Sequence, residues 1–174
     1  LTAVRQLGVQ TIGAPIGSFD IKADGHTLLL TTGDDRVIEW DINSESEVRA
    51  WDTEQEGLQY AMYSPDGERV LTTGYVPPTL KEWDIESGEE RLSIVGDCME
   101  YFRIGAYIGD GTRAVVGGGY ENILAEYDLR NGELLNNWFG NYCVYHLLPS
   151  PDWQRLAVGS RSMATEWAID GWEQ

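Results

Sequence analysis

Two histidines, two cysteines and a surplus of carboxylates are the groups in this chain equipped for chemistry. A lone imidazole needs a positioned partner within hydrogen-bond reach before it can act as an acid or base. His26 falls in a hairpin and is expected in water. His146 falls on a predicted strand three residues after Cys143, so the two point to opposite faces and form no Cys–His pair. Cys98 and Cys143 are too few for a disulfide framework and are expected as free, partly buried thiols. There is no paired-cysteine motif, no His-x-His and no Asp-x-Asp-x-Asp-Gly loop. Asp34-Asp35 reads as a turn pair. Gly117-Gly118-Gly119 closes a strand and has no phosphate-loop context. No catalytic residue, metal or cofactor is expected.

The elements that must position these groups repeat. The series Trp40-Asp41, Trp83-Asp84, Tyr127-Asp128 and Trp167-Ala168 is spaced 43, 44 and 40 residues apart. A turn series, Asp24-Gly25, Asp66-Gly67, Asp110-Gly111 and Asp152-Trp153, keeps step at 42, 44 and 42. Short strands with a period of this length are a propeller signature. Each repeat reads as an outer strand, an innermost strand, a second strand and a third strand. Second strands such as Leu28-Leu29-Leu30 and Ala114-Val115-Val116 are continuously apolar, which suits burial on both faces. Third strands alternate, with Val37, Glu39 and Asp41 opposing Ile38 and Trp40. The Trp or Tyr of this strand is expected to be buried in all four repeats.

The residues Tyr63-Ser64-Pro65-Asp66-Gly67 and Val37-Ile38-Glu39-Trp40-Asp41 resemble the first turn and the third strand of the WD-repeat family of β-propellers. Ser150-Pro151-Asp152 and Leu80-Lys81-Glu82-Trp83-Asp84 repeat the two elements. The resemblance implies an all-β fold of four four-stranded antiparallel blades. It covers nearly the whole chain, residues 1–174, as a single domain. The family's Gly-His ahead of each blade is missing, along with the buried network it builds to the third-strand Trp. These blades are therefore expected to rely more on packing than on polar networks.

The chain opens with an outer strand, Ala3–Leu7, and ends with a third strand. That offset frame lets residues 3–7 complete a closing blade. Four blades alone diverge steeply, whereas sheets pack face to face at smaller angles. The expectation is half of an eight-bladed ring made by two copies, or a fragment of a longer propeller, with a self-closed ring as third choice. Leu1 in place of an initiator Met agrees with a fragment or a processed chain.

The 174 residues carry a net charge of −17, from 29 acids against 12 bases. A nucleic-acid partner is not expected, because phosphate binding needs a basic face. The acidic surface would also be repelled by anionic membranes, and no apolar run is long enough to span one. A cytoplasmic location is expected. The expected partner is a protein with a basic or mixed surface, or a second copy.

Loops entering first strands and loops between second and third strands emerge on one propeller face. They carry the expected binding residues Asp34, Glu56, Tyr75, Tyr101, Tyr120, Tyr142 and Arg161. Tyr and Arg beside acids are enriched at interaction hot spots. The family resemblance implies a non-catalytic protein-interaction scaffold. The alternatives are a structural or assembly subunit, or a propeller hydrolase or lactonase with a channel metal. For that last role only Asp20, Glu100 and His146 would be available.

Overall fold

A computed structural model describes residues 9–96, 102–118, 122–139, 143–161 and 163–169. These form a four-bladed β-propeller. Blade 1 contains β1 (Ile16–Ile21), β2 (Thr27–Thr32), β3 (Arg36–Asp41) and β4 (Ser46–Asp52). Blade 2 contains β5 (Tyr60–Tyr63), β6 (Arg69–Tyr75), β7 (Pro78–Asp84) and β8 (Glu90–Val95). Blade 3 contains β9 (Ile104–Ile108), β10 (Arg113–Gly117), β11 (Asn122–Asp128) and β12 (Leu134–Phe139). Blade 4 contains β13 (Val144–Pro149), β14 (Arg155–Ser160) and β15 (Ala164–Ala168). Strands within each sheet follow chain order and are antiparallel. The strand expected to complete blade 4, residues 3–7, lies outside the described residues. A single helical turn, α1 (Val9–Ile12), precedes β1.

The Asp-Gly turns join the first and second strands of a blade. Gly25, Gly67 and Gly111 adopt positive φ, and the preceding aspartates accept hydrogen bonds from backbone N–H groups two residues on. Asp152 keeps that bond, to Gln154. Trp153 then takes the positive φ, 58°, without glycine's freedom, at a cost of about 1–2 kcal/mol.

Blades 2 and 3 each pack one face on the preceding blade and the other on the following one. Leu29 and Val37 of blade 1 meet Ala61, Tyr63, Val70 and Trp83 of blade 2. A second, larger core joins blades 2, 3 and 4. Blades 2 and 3 approach so closely that a Cβ on Gly105 would lie 2.9 Å from Thr73 Cγ2. The incoming face of blade 1 is covered differently, by Ile12 of α1 packed on Leu30, Ile38 and Trp40.

Blade 4 and blade 1 do not meet in this way. Among the described residues no packing comparable to the other three junctions joins them. Leu148, on the outgoing face of blade 4, is 62 % exposed, whereas its equivalent in blade 3, Ala106, is wholly buried. On the incoming face of blade 1, Phe19 is 70 % exposed. Its equivalent in blade 2, Ala61, is buried.

Two expectations are corrected. The third strands do not alternate between core and solvent: β3 and β7 are buried along both faces, glutamates included. β7 lies between blades 1 and 3, and β3 between α1 and blade 2, so neither strand has a solvent face. Trp40, Trp83 and Tyr127 are buried as expected, but Trp167 is only half-buried. It stands edge-on to Trp138 of the preceding blade, with ring centroids 6.0 Å apart.

Candidate functional site

The loop-bearing face is the end of the propeller where the first strands begin and the second strands finish. Of the residues expected to bind there, Tyr101, Tyr120 and Tyr142 lie outside the described residues. Asp34 is exposed but committed. Its carboxylate accepts from the Thr32 hydroxyl at 2.6 Å and from Arg36 Nε at 2.9 Å. The Thr32 bond, followed by Arg36, holds its pKa below the usual carboxylate range. Glu56 is exposed, and its carbonyl accepts from Val76 N–H at 3.1 Å. That bond fastens the β6–β7 hairpin tip to the loop before β5. Tyr75 packs on Gly57, whose positive φ of 71° brings the two backbones together. The tip leaves Tyr75 and Val76 both substantially exposed. The structure therefore unites Tyr75 with Glu56, leaves Asp34 in its own turn and carries Arg161 to a different cluster.

That cluster lies at the mouth of the central channel. A cavity of about 290 Å³ is lined by residues from all four inner strands, Ser18, Tyr60, Ile104 and His146 among them. Tyr145 stands at its edge with two guanidinium groups against its ring. Arg103 Cζ is 4.8 Å from the ring centroid and Arg161 Cζ is 5.7 Å. Both arginines are exposed. His146 lines the channel, as its strand position implied. Tyr60 is pushed up to about 12 by burial and then by the nearby Asp20 charge. Asp20 is itself raised by burial. Sequence reasoning singled out Arg161 but missed Arg103, just before β9, and Tyr145, in β13, which lie in different blades and share no local pattern.

Sequence reasoning also missed the buried carboxylates between blades. Glu39 is buried and meets Lys22 Nζ at 3.3 Å, Arg49 Nε at 2.9 Å and the Tyr63 hydroxyl of the next blade at 2.8 Å. Glu82 repeats this with Arg69 Nη1 at 2.9 Å and the Tyr107 hydroxyl at 3.1 Å. Glu126 takes Arg113 Nη1 at 2.7 Å and Asn136 Nδ2 at 2.7 Å, Pro149 standing where the tyrosine would be. Burial, followed by the glutamate contact, drives the Tyr63 hydroxyl far above its ordinary pKa, so it remains a donor. These are structural pairs: each cation is already matched. The same holds for a cavity of about 700 Å³ between blades 2 and 3, where Arg69 and Arg91 both pair with Glu82.

The missing Gly-His is answered in blade 2 by Gln55. Its side-chain amide accepts from the Thr72 hydroxyl and donates to Thr79 Oγ1 at 3.0 Å. Thr72 in turn accepts the Trp83 indole N–H at 2.8 Å. A polar network is thus kept with a different residue, contrary to the expectation that packing would replace it.

Cys143 is a free, half-buried thiol, and Cys98 lies outside the described residues. No group of three or more His, Cys, Asp or Glu among the described residues is placed to hold a metal ion. No helix among them is long and apolar enough to cross a membrane. No protein-family model matches the chain, and no curated protein matches it.

Proposed function

We propose that this chain is a non-catalytic protein-interaction scaffold, diverged from the WD-repeat propellers, that binds through its loop-bearing face. The observation that carries the reading is the β6–β7 tip. An exposed aromatic and an exposed apolar side chain, Tyr75 and Val76, are held there by backbone hydrogen bonds to Glu56. Rigid aromatic anchors lose little entropy on binding and dominate interface energies. On the opposite face the turn aspartates Asp24, Asp66, Asp110 and Asp152 are all spent on their own turns. The chain's net charge of −17 favours a partner with a basic or mixed surface. The test is capture from the native source with the wild type and with a Tyr75→Ala, Val76→Ser variant of equal thermal stability. Partners held by the wild type and lost by the variant support the reading. An identical set of captured proteins overturns it.

A second reading, an assembly subunit, is favoured by exposed Leu148 of blade 4 and exposed Phe19 of blade 1. Their equivalents Ala106 and Ala61 are buried between blades, so the inner strand of blade 4 in one copy is matched to that of blade 1 in another. Two copies would then close as an eight-bladed ring. Sedimentation decides it: a double-mass particle reduced to single mass by Leu148→Lys supports the ring. A compact monomer at all concentrations sinks it, and a self-closed ring of four blades replaces it.

A further inference from the structure

We infer that the channel mouth at Arg103, Tyr145 and Arg161 is a binding site for a carboxylate on a peptide segment of mixed charge. The inference rests on the loop-bearing face being an interaction surface and names what that surface takes at its centre.

Cations are scarce here and nearly all are committed. Lys22, Arg36, Arg49, Arg69, Lys81, Arg91, Arg113, Arg130 and Arg155 are each ion-paired with a carboxylate of the chain. Among the described residues only Arg103 and Arg161 are not, and both stand against one tyrosine ring. With 29 acids against 12 bases, a guanidinium has no shortage of partners. Two of them gathered on the same ring, with no described carboxylate within ion-pair distance, form a local positive centre on an acidic molecule.

The chemistry of that centre follows from guanidinium geometry. Cation–π contact engages the guanidinium through its charge and flat face. It leaves the in-plane N–H donors unused, and these form the fork that matches a carboxylate bidentately. Neither side chain spends a donor on another described group. Beside the arginines, the cavity of about 290 Å³ offers apolar wall at Ile104, Leu147 and Leu148. That volume sits at the lower limit for small-molecule sites and suits a side chain with its flanking backbone.

Long-range charge selects among oxyanions. A polyanion such as nucleic acid is opposed by the chain's net charge of −17. A single carboxylate feels mainly the two adjacent guanidiniums, because screening cuts the rest within about 8 Å. Basic residues flanking that carboxylate gain from the chain's net charge of −17. The ligand pattern is therefore one acid between bases.

The probe is the acetylated, amidated peptide Lys-Glu-Lys, with Lys-Gln-Lys as its neutral-centre control. Arginine Nε–Hε resonances of the full chain are followed by NMR as each is added to about 20 mM, a range that covers millimolar affinity. The expected result is a saturable shift of the Arg103 and Arg161 signals with Lys-Glu-Lys only. Arg103→Gln together with Arg161→Gln should weaken binding at least about tenfold, as expected for lost charged hydrogen bonds. Arg155→Gln, on a pair outside this site, should leave binding unchanged. Equal binding of Lys-Gln-Lys, uniform shifts at every arginine or no saturation would each overturn the site. Tighter binding of inorganic phosphate or of a single-stranded oligonucleotide would overturn its assignment to a carboxylate. Any of these results with partner capture through Tyr75 and Val76 intact would reject this site alone.

Discussion

Trp83 occupies the crossing of two kinds of stabilisation. Its ring is buried against blade 1, Lys81 Nζ lies 5.2 Å from the ring centroid, and its N–H closes the Gln55–Thr72 network. Trp83→Ala should cost about 3–5 kcal/mol in urea unfolding. Gln55→Ala, which leaves the buried Thr72 hydroxyl donor and the Thr79 acceptors unmatched, should cost about 1–3 kcal/mol. A loss below about 0.5 kcal/mol at Trp83 would mean it is not core. The turn and strand-end aspartates set the response to acid. Asp24 is lowered to about 2, first by the His26 N–H, and Asp128 to about 2, first by the Arg130 side chain. A carboxylate with a depressed folded pKa stabilises the fold above its unfolded pKa and stops doing so as pH falls through the folded one. The melting temperature should therefore drop between about pH 4 and 2, and Asp24→Asn with Asp128→Asn should flatten that drop. Asp20, raised by burial, acts with the opposite sign.

At the scale of the blade, equivalent positions supply matched experiments. Arg113–Glu126 and Arg155–Glu166 are the same pair in blades 3 and 4, at 2.7 and 2.9 Å. The Glu126 side chain is 0 % exposed and the Glu166 side chain 63 %, because blade 4 covers the first and nothing described covers the second. Glu126→Ala leaves a partly buried arginine and an asparagine without their acceptor and should cost about 3–5 kcal/mol. Glu166→Ala should change stability by less than about 0.5 kcal/mol. Equal losses would mean that blade 4 is covered in solution. The blades themselves were legible in the sequence because Asp-Gly turns and Trp-Asp strand ends are local signals with a fixed spacing. The burial of Glu39 and Glu82 was not, since alternation assumes one wet face and these strands have none. A local cue did exist: glutamate precedes the aromatic in all four repeats, and arginine opens three of the second strands. Of the site, Arg161, Tyr75 and Glu56 could be picked by loop position. The grouping of Arg103, Tyr145 and Arg161 could not, because it depends on how blade 4 sets β13 and its β14–β15 loop beside the loop entering β9 of blade 3.

At the scale of the whole molecule, net charge and the exposed blade 4 side chains, Leu148 and Glu166 among the described residues, set behaviour. A net charge of −17 makes self-repulsion a global cost that salt relieves. Raising ionic strength from about 0.01 to 0.15 M shortens the screening length from about 30 to 8 Å. Melting temperature should rise across that range, and any association of copies should strengthen with it. A melting temperature that falls with salt would instead show that ion pairs outweigh the net repulsion. The buried glutamates have a consequence of another kind. Each draws its cation from its own repeat: Lys22 and Arg49 for Glu39, Arg69 for Glu82, Arg113 for Glu126. Only the tyrosine hydroxyl comes from a neighbour, and Glu126 does without it. A gene duplication or deletion of one whole repeat therefore carries acid and counter-ion together. Copy number can change over evolutionary time without stranding a charge at the seam.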